Sequence, residues 1–216
     1  MLEHPSMFEY FRNKVTISNC GRSAGKTGNN INVYKNYVTY NLVTEIEEEN
    51  KRKGIECELK FKEWLDRHKI PYIYLQQDTQ TISLAFKKYF SGKRPDFLIL
   101  IPHLGFIFVD IKYKKLNQTY KTYPMDGEET KRYSSIQRKF NLNIWYVLSN
   151  EDSDYKTWLW IPISKVFESG RPVFTSSKSN MNFYAVSPRE FVQIADDDSL
   201  DRLLSKFFIE ETRINN

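Results

Sequence analysis

Two apolar segments separated by a short turn constrain the fold of this chain more than any other feature of its sequence. Residues 97–101 (FLILI) and 106–111 (FIFVDI) have the composition of strands, and the Pro-His-Leu-Gly between them predicts a turn that joins them as a hairpin. Asp96 precedes the first segment, whereas Asp110 and Lys112 stand at the end of the second. Because side chains alternate along a strand, Asp110 and Lys112 share one face, and hairpin pairing brings Asp96 to the same end of the sheet.

Charged side chains at the end of such an apolar strand cost free energy unless they are paired or hold a metal ion. Two convergent carboxylates are typical ligands of a hard divalent cation such as Mg²⁺. A lysine beside them can orient a water molecule and stabilise the charge of a phosphate transition state. The alternative is that Asp96 is only a turn residue after Pro95 and that Asp110 and Lys112 form only an ion pair at the strand end.

A helix is predicted before the hairpin, over residues 45–68, where good helix formers dominate and apolar residues recur with helical spacing, namely Ile55, Leu59, Phe61, Trp64 and Leu65. Glu58, Phe61 and Leu65 fall on one face of this helix, so Glu58 is expected to point toward the sheet as a third carboxylate. Glu56 lies on a more exposed face and is the second choice.

Other segments complete a mixed set of strands and helices. Residues 72–75, 81–86, 143–148 and 157–163 are predicted strands, and residues 198–208 a C-terminal helix. Residues 126–140 are a predicted helix with acidic residues early and basic residues late, as the helix dipole favours. This order predicts an α/β or α+β fold with a central sheet.

The composition excludes several classes of protein. With 40% hydrophobic and 15% aromatic residues among 216, the chain is globular rather than disordered. No uninterrupted apolar run exceeds five residues, so no membrane span is expected. The N-terminus lacks the pattern of a signal peptide, which favours a cytoplasmic protein. The two cysteines make neither a disulfide framework nor a zinc site by themselves.

The positive charge is concentrated in one stretch. The chain carries a formal net charge of +5, and residues 112–140 hold eight Lys and Arg against three Asp and Glu, which is again +5. Basic residues interleaved with aromatic ones suit nucleic acid, because cations contact phosphates and rings stack on bases. The predicted nucleic-acid contacts are Tyr113, Lys114, Lys115 and Lys121, with Tyr133 and Arg138 on the next helix. The alternative is an ordinary solvated loop.

The combination of Pro95-Asp96, Asp110-Ile111-Lys112 and a helical Glu58 upstream resembles the PD-(D/E)XK nuclease superfamily, which has the restriction-endonuclease-like fold. The stretch from Glu56 to His68 is similar to the first helix of archaeal Holliday-junction resolvases, and the segment leading into Arg94 is more like that of transposon end-cleaving endonucleases. The resemblance covers roughly residues 54–148. It implies an αβββαβ core with a mixed sheet of four to five strands.

The resemblance also implies an activity, which is Mg²⁺-dependent hydrolysis of DNA phosphodiester bonds in DNA processing, recombination or defence. Asp96, Asp110 and Glu58 would be the metal ligands, and Mn²⁺ would substitute for Mg²⁺. Lys112 would assist attack by a metal-bound water, and Gln137 would support the site from the second helix. Asp110 stands where the superfamily more often has Glu.

Two other functions stay open at this point, and so does the assembly of the chain. An RNA-directed nuclease would use the same residues, and a catalytically idle module of the same fold would bind DNA or a partner protein. A homodimer is compatible with each of these. The expected organisation is a basic or strand-rich arm over residues 1–44, with strand-like runs at 15–18 and 33–43, a nuclease core over 45–165 and a C-terminal extension over 166–216.

Overall fold

The computed structural model describes the backbone of residues 28–75, 83–85, 88, 94–102, 104–174 and 182–204, and the side chains of these residues from 45 onward except 182. The chain divides into two units, Met1–Ile46 and Glu47–Asn216. The candidate site and the pocket described below lie in the second unit. None of the helices described in the structure combines the length and apolar composition that a membrane span requires.

Groups of consecutive strands follow each helix along the described residues. The helices are α1 (Gly28–Arg67), α2 (Gly127–Phe140) and α3 (Ile163–Ser169). The strands are β1 (Tyr72–Tyr74), β2 (Phe97–Ile101), β3 (Gly105–Tyr113), β4 (Tyr123–Asp126), β5 (Ile144–Ser149), β6 (Thr157–Pro162), β7 (Arg171–Phe174), β8 (Asn182–Val186) and β9 (Val192–Ala195). Short 3₁₀ turns stand at Glu151–Ser153 and Pro188–Glu190.

The central sheet has six strands in the order β1-β2-β3-β5-β6-β9. Strands β3 and β5 are parallel, and the other neighbours are antiparallel. Helix α1, the meander β1-β2-β3, helix α2 and strand β5 have the αβββαβ order, with β4 of a second sheet inserted before α2, so the predicted mixed α+β fold is confirmed. The sheet exceeds the four to five strands expected because β9, late in the sequence, pairs with β6. Strands β4, β8 and β7 form a second, three-stranded sheet.

An apolar cluster lies on each face of the central sheet. One face is covered by α1, and the other by α2, α3 and the second sheet. In α1 the buried stripe is Cys57, Phe61, Trp64 and Leu65, which follow the i, i+4, i+7, i+8 pattern of an amphipathic helix. The helix prediction is confirmed, but the apolar residues at 55 and 59 are about half exposed. The packed face therefore passes through Cys57 and leaves Glu58 at its border.

Two strand predictions are wrong where the structure describes them. Residues 33–43 belong to α1. Strand-favouring Val and Tyr in this segment are overridden because it continues into the Glu- and Lys-rich helix, and extending a helix costs far less than starting one. Within residues 81–86, Leu84 and Ala85 are helical, in line with their propensities, and the rest of that segment lies mostly outside the described residues. The run at 15–18 also lies outside them.

Candidate active site

The two aspartates of the motif stand at the same end of the β2-β3 hairpin. The last registered pair of this ladder is Phe97 with Val109, so Asp96 comes one residue before the ladder and Asp110 one residue beyond it. Phe108, Asp110 and Lys112 alternate with the buried residues of the α1 side, which places them on the sheet face that α2 covers. The predicted sharing of one face by Asp110 and Lys112 is therefore confirmed.

Asp110 is fully buried and is held from two directions. Its Oδ1 accepts a hydrogen bond of 2.8 Å from the hydroxyl of Tyr133, and its Oδ2 forms an ion pair with the Nζ of Lys112. Lys112 also contacts Glu129, with 2.9 Å between Nζ and Oε2. Helix α2 brings Glu129 and Tyr133 to the sheet together, because residues four positions apart lie on the same face of a helix. The result is a buried network of one cation between two carboxylates.

Lys112 is an ammonium ion in this environment. Burial would lower its pKa, but the negative charges of Asp110 and Glu129 outweigh burial and hold the pKa well above its ordinary value. The amine lies 5.6 Å from the centre of the Tyr146 ring, a further favourable contact for a cation. Burial and the same carboxylates raise the pKa of Tyr133, so its hydroxyl keeps its proton. Lys112 can therefore stabilise negative charge, but it cannot accept a proton at neutral pH.

Asp96 is buried beside the other acidic residues. Its Oδ2 accepts a hydrogen bond of 2.7 Å from the backbone N–H of Ile111, one residue after Asp110. Burial, and then the negative charges of Asp110 and Glu58, raise the pKa of Asp96 to about 8. Glu58 is half-buried on α1, and its Oε2 accepts a hydrogen bond of 3.1 Å from the hydroxyl of Tyr74. Asp110 and Glu58 are thus close enough to Asp96 to oppose its ionisation.

The donor chemistry of these carboxyl groups fits a hard divalent cation. All three offer oxygen ligands, and the raised pKa of Asp96 shows a site where added positive charge would be favourable. Their present arrangement is not that of a preformed metal cage: among the residues described, no three Asp, Glu, His or Cys side chains stand together in a geometry that could hold a metal ion. Asp96, Asp110 and Glu58 are the carboxyl groups that could hold such a cation.

Two residues predicted for the site have other roles. The prediction that Tyr133 contacts nucleic acid is wrong, because its side chain is fully buried and its hydroxyl is directed at Asp110. Gln137, predicted to support the site, makes no side-chain hydrogen bond to Asp96, Asp110 or Lys112 in the described structure. Its Oε1 accepts a hydrogen bond of 3.4 Å from the N–H of Ile144, at the start of β5, whereas Asp110 lies farther along the sheet, opposite Tyr146. Gln137 joins the end of α2 to the sheet.

The remaining predicted nucleic-acid contacts lie at the end of β3, in the segment after it and on α2. Lys115 is half exposed but is paired with Glu151 at 2.8 Å and with Asp152 at 2.9 Å. Lys121 is exposed and donates to Gln118, and Lys114 and Tyr113 are half-buried. The exposed Arg138 stands in the last turn of α2. The acidic turn at Glu151–Ser153 offsets part of the positive charge of this stretch, so the basic surface is weaker than the sequence predicts.

Sequence reasoning missed Glu129 as a member of the site. It lies in the first turn of α2, where a favourable interaction with the helix dipole is enough to explain an acidic residue. The signal that was available is its spacing from Tyr133, since the two positions share one face of a short helix that follows the Asp-Ile-Lys motif. Only the packing of α2 on β3 shows that Glu129 is the second carboxylate partner of Lys112.

The chain is similar in structure to two solved nucleases. A Holliday junction resolvase from the archaeal hyperthermophile Archaeoglobus fulgidus is 14% identical, with a TM-score of 0.38 over 66% of this chain and 92% of that one. A nuclease from a fusselovirus is 9% identical, with a TM-score of 0.41 over 73% of this chain and 89% of that one. No family model matches the chain. No curated protein matches it in sequence either.

Proposed function

We propose that this chain is a nuclease that hydrolyses phosphodiester bonds, with DNA as its substrate and Mg²⁺ as its cofactor. The observation that carries the proposal is the buried cluster at one end of the sheet, in which Asp96 and Asp110 flank the β2-β3 ladder and the ammonium group of Lys112 stands beside them. Charges buried in this way are costly to a fold, and such arrangements are concentrated at sites of chemistry.

The proposed roles follow from the charge of each group. Asp96, Asp110 and Glu58 would hold Mg²⁺, with Mn²⁺ as a substitute. When bound, the cation would polarise the scissile phosphate and stabilise the charge that develops on it. Lys112 remains protonated and adds a second positive charge for the phosphate oxygens. Glu129 and Tyr133 are positioning residues, because they hold Lys112 and Asp110 without reaching outside the buried network.

A second candidate function follows from the fact that the buried groups of the same network pair with one another. The carboxylate of Asp110 is paired with Lys112 and accepts a hydrogen bond from Tyr133, so its charge is compensated without a metal ion. A nucleic-acid-binding module that has no hydrolytic activity would keep this arrangement. Such a module would bind DNA equally well in Mg²⁺ and in EDTA, and it would leave the DNA intact.

Cleavage assays on defined DNA test the nuclease. The wild-type protein is incubated with Mg²⁺ and with linear, supercoiled, branched and single-stranded DNA, and a matching RNA strand tests the sugar preference. We expect cleavage in Mg²⁺ and none in EDTA. Asp110→Ala should abolish cleavage while leaving DNA binding largely intact, and Lys112→Ala should reduce cleavage at least a hundredfold, the loss typical when one charge-stabilising donor is removed. Asp197→Ala, at an exposed aspartate outside the site, is the control.

The outcomes separate the two functions. Undiminished cleavage by Asp110→Ala would show that this cluster is not the active site. Metal-independent DNA binding by a folded wild-type protein that cleaves none of these substrates would favour the module. Calorimetric Mg²⁺ binding that is lost in Asp96→Ala would favour the nuclease, because that change removes one of the three proposed ligands.

A further inference from the structure

A pocket of about 350 Å³ opens beside the proposed active site. It lies beyond the carboxyl ends of β3 and β5, the parallel pair of the central sheet, where crevices of α/β proteins commonly bind ligands. Leu148, one of its lining residues, is the register partner of Lys112 on the neighbouring strand, so the pocket begins about 5 Å from the backbone of the motif lysine. A group bound to the pocket would adjoin a phosphate placed at Lys112.

The walls of this pocket combine apolar surfaces with uncharged polar groups. Leu148 and Leu159 are paired on neighbouring strands and form part of one wall, with Leu116 and the ring of Tyr123 also lining the space. Lys114 and Asp152 contribute one charge of each sign, and Asp152 is already paired with Lys115. A pocket without net charge is a poor receptor for phosphate and suits a neutral, flat group with hydrogen-bonding edges.

Hydrogen bonds within the rim hold the pocket in shape. The side-chain amide of Asn150 donates to the carbonyl of Lys114 at 2.6 Å, and its oxygen accepts from the N–H of Asp152 at 2.9 Å. The hydroxyl of Ser149 donates to the carbonyl of Thr157 at 2.8 Å. These bonds connect the segments that follow β3 and β5 to the start of β6. The binding surface is therefore preorganised, which lowers the entropic cost of holding a ligand.

Two other side chains of the lining are available to a ligand. The carboxamide of Gln193 on β9 and the hydroxyl of Thr157 on β6 make no hydrogen bond to any residue that the structure describes. A carboxamide offers both a donor and an acceptor, and a hydroxyl offers either. Nucleobase edges present donors and acceptors, and nucleobase faces pack on apolar side chains.

We infer that this pocket receives one unpaired nucleobase of the substrate, next to the phosphate held at Lys112. The inference rests on the proposed function, and it names the substrate class as nucleic acid with an unstacked nucleotide beside the cleaved bond. A base inside a regular duplex would first have to be unstacked and unpaired, at a cost in free energy that an unpaired base does not incur. Gln193 and Thr157 would contact the edge of the base, and the partly exposed Leu116 and Leu159 would contact its face.

Binding to bulged DNA tests the inference independently of cleavage. The probes are fluorescent 20-bp duplexes that carry one unpaired thymidine, one unpaired abasic residue, or no bulge, titrated in EDTA so that Mg²⁺-dependent cleavage cannot occur. The bulge fixes the register of the protein on the strand. We expect the thymidine bulge to bind the wild-type protein about tenfold more tightly than the abasic bulge, as one or two hydrogen bonds with apolar contact would give.

Variants assign the difference to this pocket. In Gln193→Leu and in Thr157→Val, each nearly isosteric, the preference for thymidine over the abasic residue should fall about threefold, and in the double variant it should disappear. Thr119→Val, at an exposed threonine outside the pocket lining, should keep the full preference. Thermal melting of each variant checks its fold, and the single variant at the exposed Gln193 serves if the double variant is unstable.

The possible results test the base-binding role of the pocket and the proposed nuclease activity independently. Equal binding of the two bulges by the wild-type protein, no binding of either, or a preference that persists in folded pocket variants would overturn the inference. If the protein cleaves DNA in Mg²⁺ but binds the thymidine and abasic bulges equally, the proposed nuclease function stands and the base-binding role of the pocket is rejected. If the protein prefers the thymidine bulge but cleaves no DNA under any condition, the base-binding role of the pocket stands and the nuclease function is rejected.

Discussion

At the scale of single residues, the buried carboxylate of Asp110 depends on its two neighbours. An ionised carboxylate without compensation is unfavourable in a protein interior by several kcal/mol. Here Lys112 supplies the opposite charge and Tyr133 supplies a hydroxyl donor at 2.8 Å. Since Lys112 is shared with Glu129, the hydroxyl of Tyr133 fixes which way the Asp110 carboxylate faces.

Removing that hydroxyl should cost both stability and activity. We expect Tyr133→Phe to lower the free energy of unfolding by about 1.5–3 kcal/mol, because a hydrogen bond to a charged group is lost while the ring still fills its space. DNA cleavage should fall about tenfold or more, with little change in DNA affinity. Urea unfolding and single-turnover cleavage measure the two effects. Tyr120→Phe, at a side chain that is 68% exposed, is the matched control, and equal behaviour of the two variants would contradict the role of Tyr133.

Asp96 should make the stability of the fold decrease with pH. Its pKa is about 8 in the folded protein, above the ordinary value of 3.8, because burial and nearby carboxylates disfavour its ionised form. Below about pH 4 both folded and unfolded states bind the proton, so there is no cost. Between about pH 4 and 8 the unfolded state loses the proton first, so the free energy of unfolding falls as pH rises.

Replacing Asp96 by an amide should remove this dependence. In EDTA, Asp96→Asn should be close to wild type in stability at pH 4 and more stable than wild type at pH 8. Because all other titrating groups are common to both proteins, the difference between their unfolding free energies reports the ionisation of Asp96 together with its effect on its acidic neighbours. Urea titrations at half-unit pH intervals give that difference. A difference that does not grow between pH 4 and 8 would show that Asp96 ionises normally in the folded state.

At the scale of elements, α2 is the part that organises the buried network. Asp126 caps the helix by accepting a hydrogen bond of 2.8 Å from the N–H of Glu129. The same turn therefore fixes the start of the helix and the residue that reaches Lys112. Tyr133 follows one turn later and reaches Asp110. The position of Lys112 thus depends on how well the first turn of α2 is held.

Loss of the cap should therefore affect chemistry as well as stability. We expect Asp126→Ala to lower the free energy of unfolding by about 1 kcal/mol, the usual cost of removing an N-cap side chain. Cleavage should fall even under conditions in which the variant is fully folded, because the backbone N–H of Glu129 loses its hydrogen bond to Asp126 and Glu129 is no longer held beside Lys112. Unfolding and cleavage are compared with those of Asp197→Ala, an exposed aspartate. Cleavage equal to that of the control, in an Asp126→Ala protein shown to be destabilised, would separate the cap from the site.

The sequence was informative where elements are defined by local pattern. The hairpin of β2 and β3 follows from two apolar runs and a turn, and the predicted helix over 126–140 agrees with α2 to within one residue at its start. The site was predictable as far as Asp96, Asp110 and Lys112, because their closeness follows from pairing in one hairpin. Glu129 and the burial of Tyr133 depend on the packing of α2 on β3, a contact between distant segments that carries no local signature.

At the scale of the whole molecule, the distribution of charge changes when the chain folds. The excess of +5 in residues 112–140 suggested one basic surface. In the folded protein Lys112 is buried between two carboxylates, and Lys115 is paired with acidic residues from the turn after β5. Charge excess along a sequence is local information, whereas a basic surface depends on which distant acids pack nearby. The exposed basic residues that remain, such as Arg138, are the better candidates for phosphate contacts.

Cys57 lies between α1 and the central sheet, so the reactivity of its thiol reports whether α1 separates from the sheet before the rest of the fold is lost. Its side chain is fully buried in the cluster between α1 and the sheet, with its Sγ 3.8 Å from the carbonyl oxygen of Ser149. Burial, above all, raises the pKa of the thiol to about 12. Reaction with a thiol reagent requires an exposed thiolate, so the folded protein should be nearly inert at this position.

Labelling of Cys57 should therefore follow global unfolding. In a protein with Cys20, the other cysteine of the sequence, replaced by serine, we expect labelling at pH 8 to be slower by orders of magnitude than in unfolded protein. Its rate should rise with urea at the slope set by the equilibrium m-value, because α1 leaves the sheet only when the shared core is lost. Ser135→Cys in the same background, at an exposed position of α2, should label rapidly. Labelling of Cys57 that is independent of urea would show instead that α1 separates from the sheet while the remainder stays folded, and Glu58 would then not be held near Asp96.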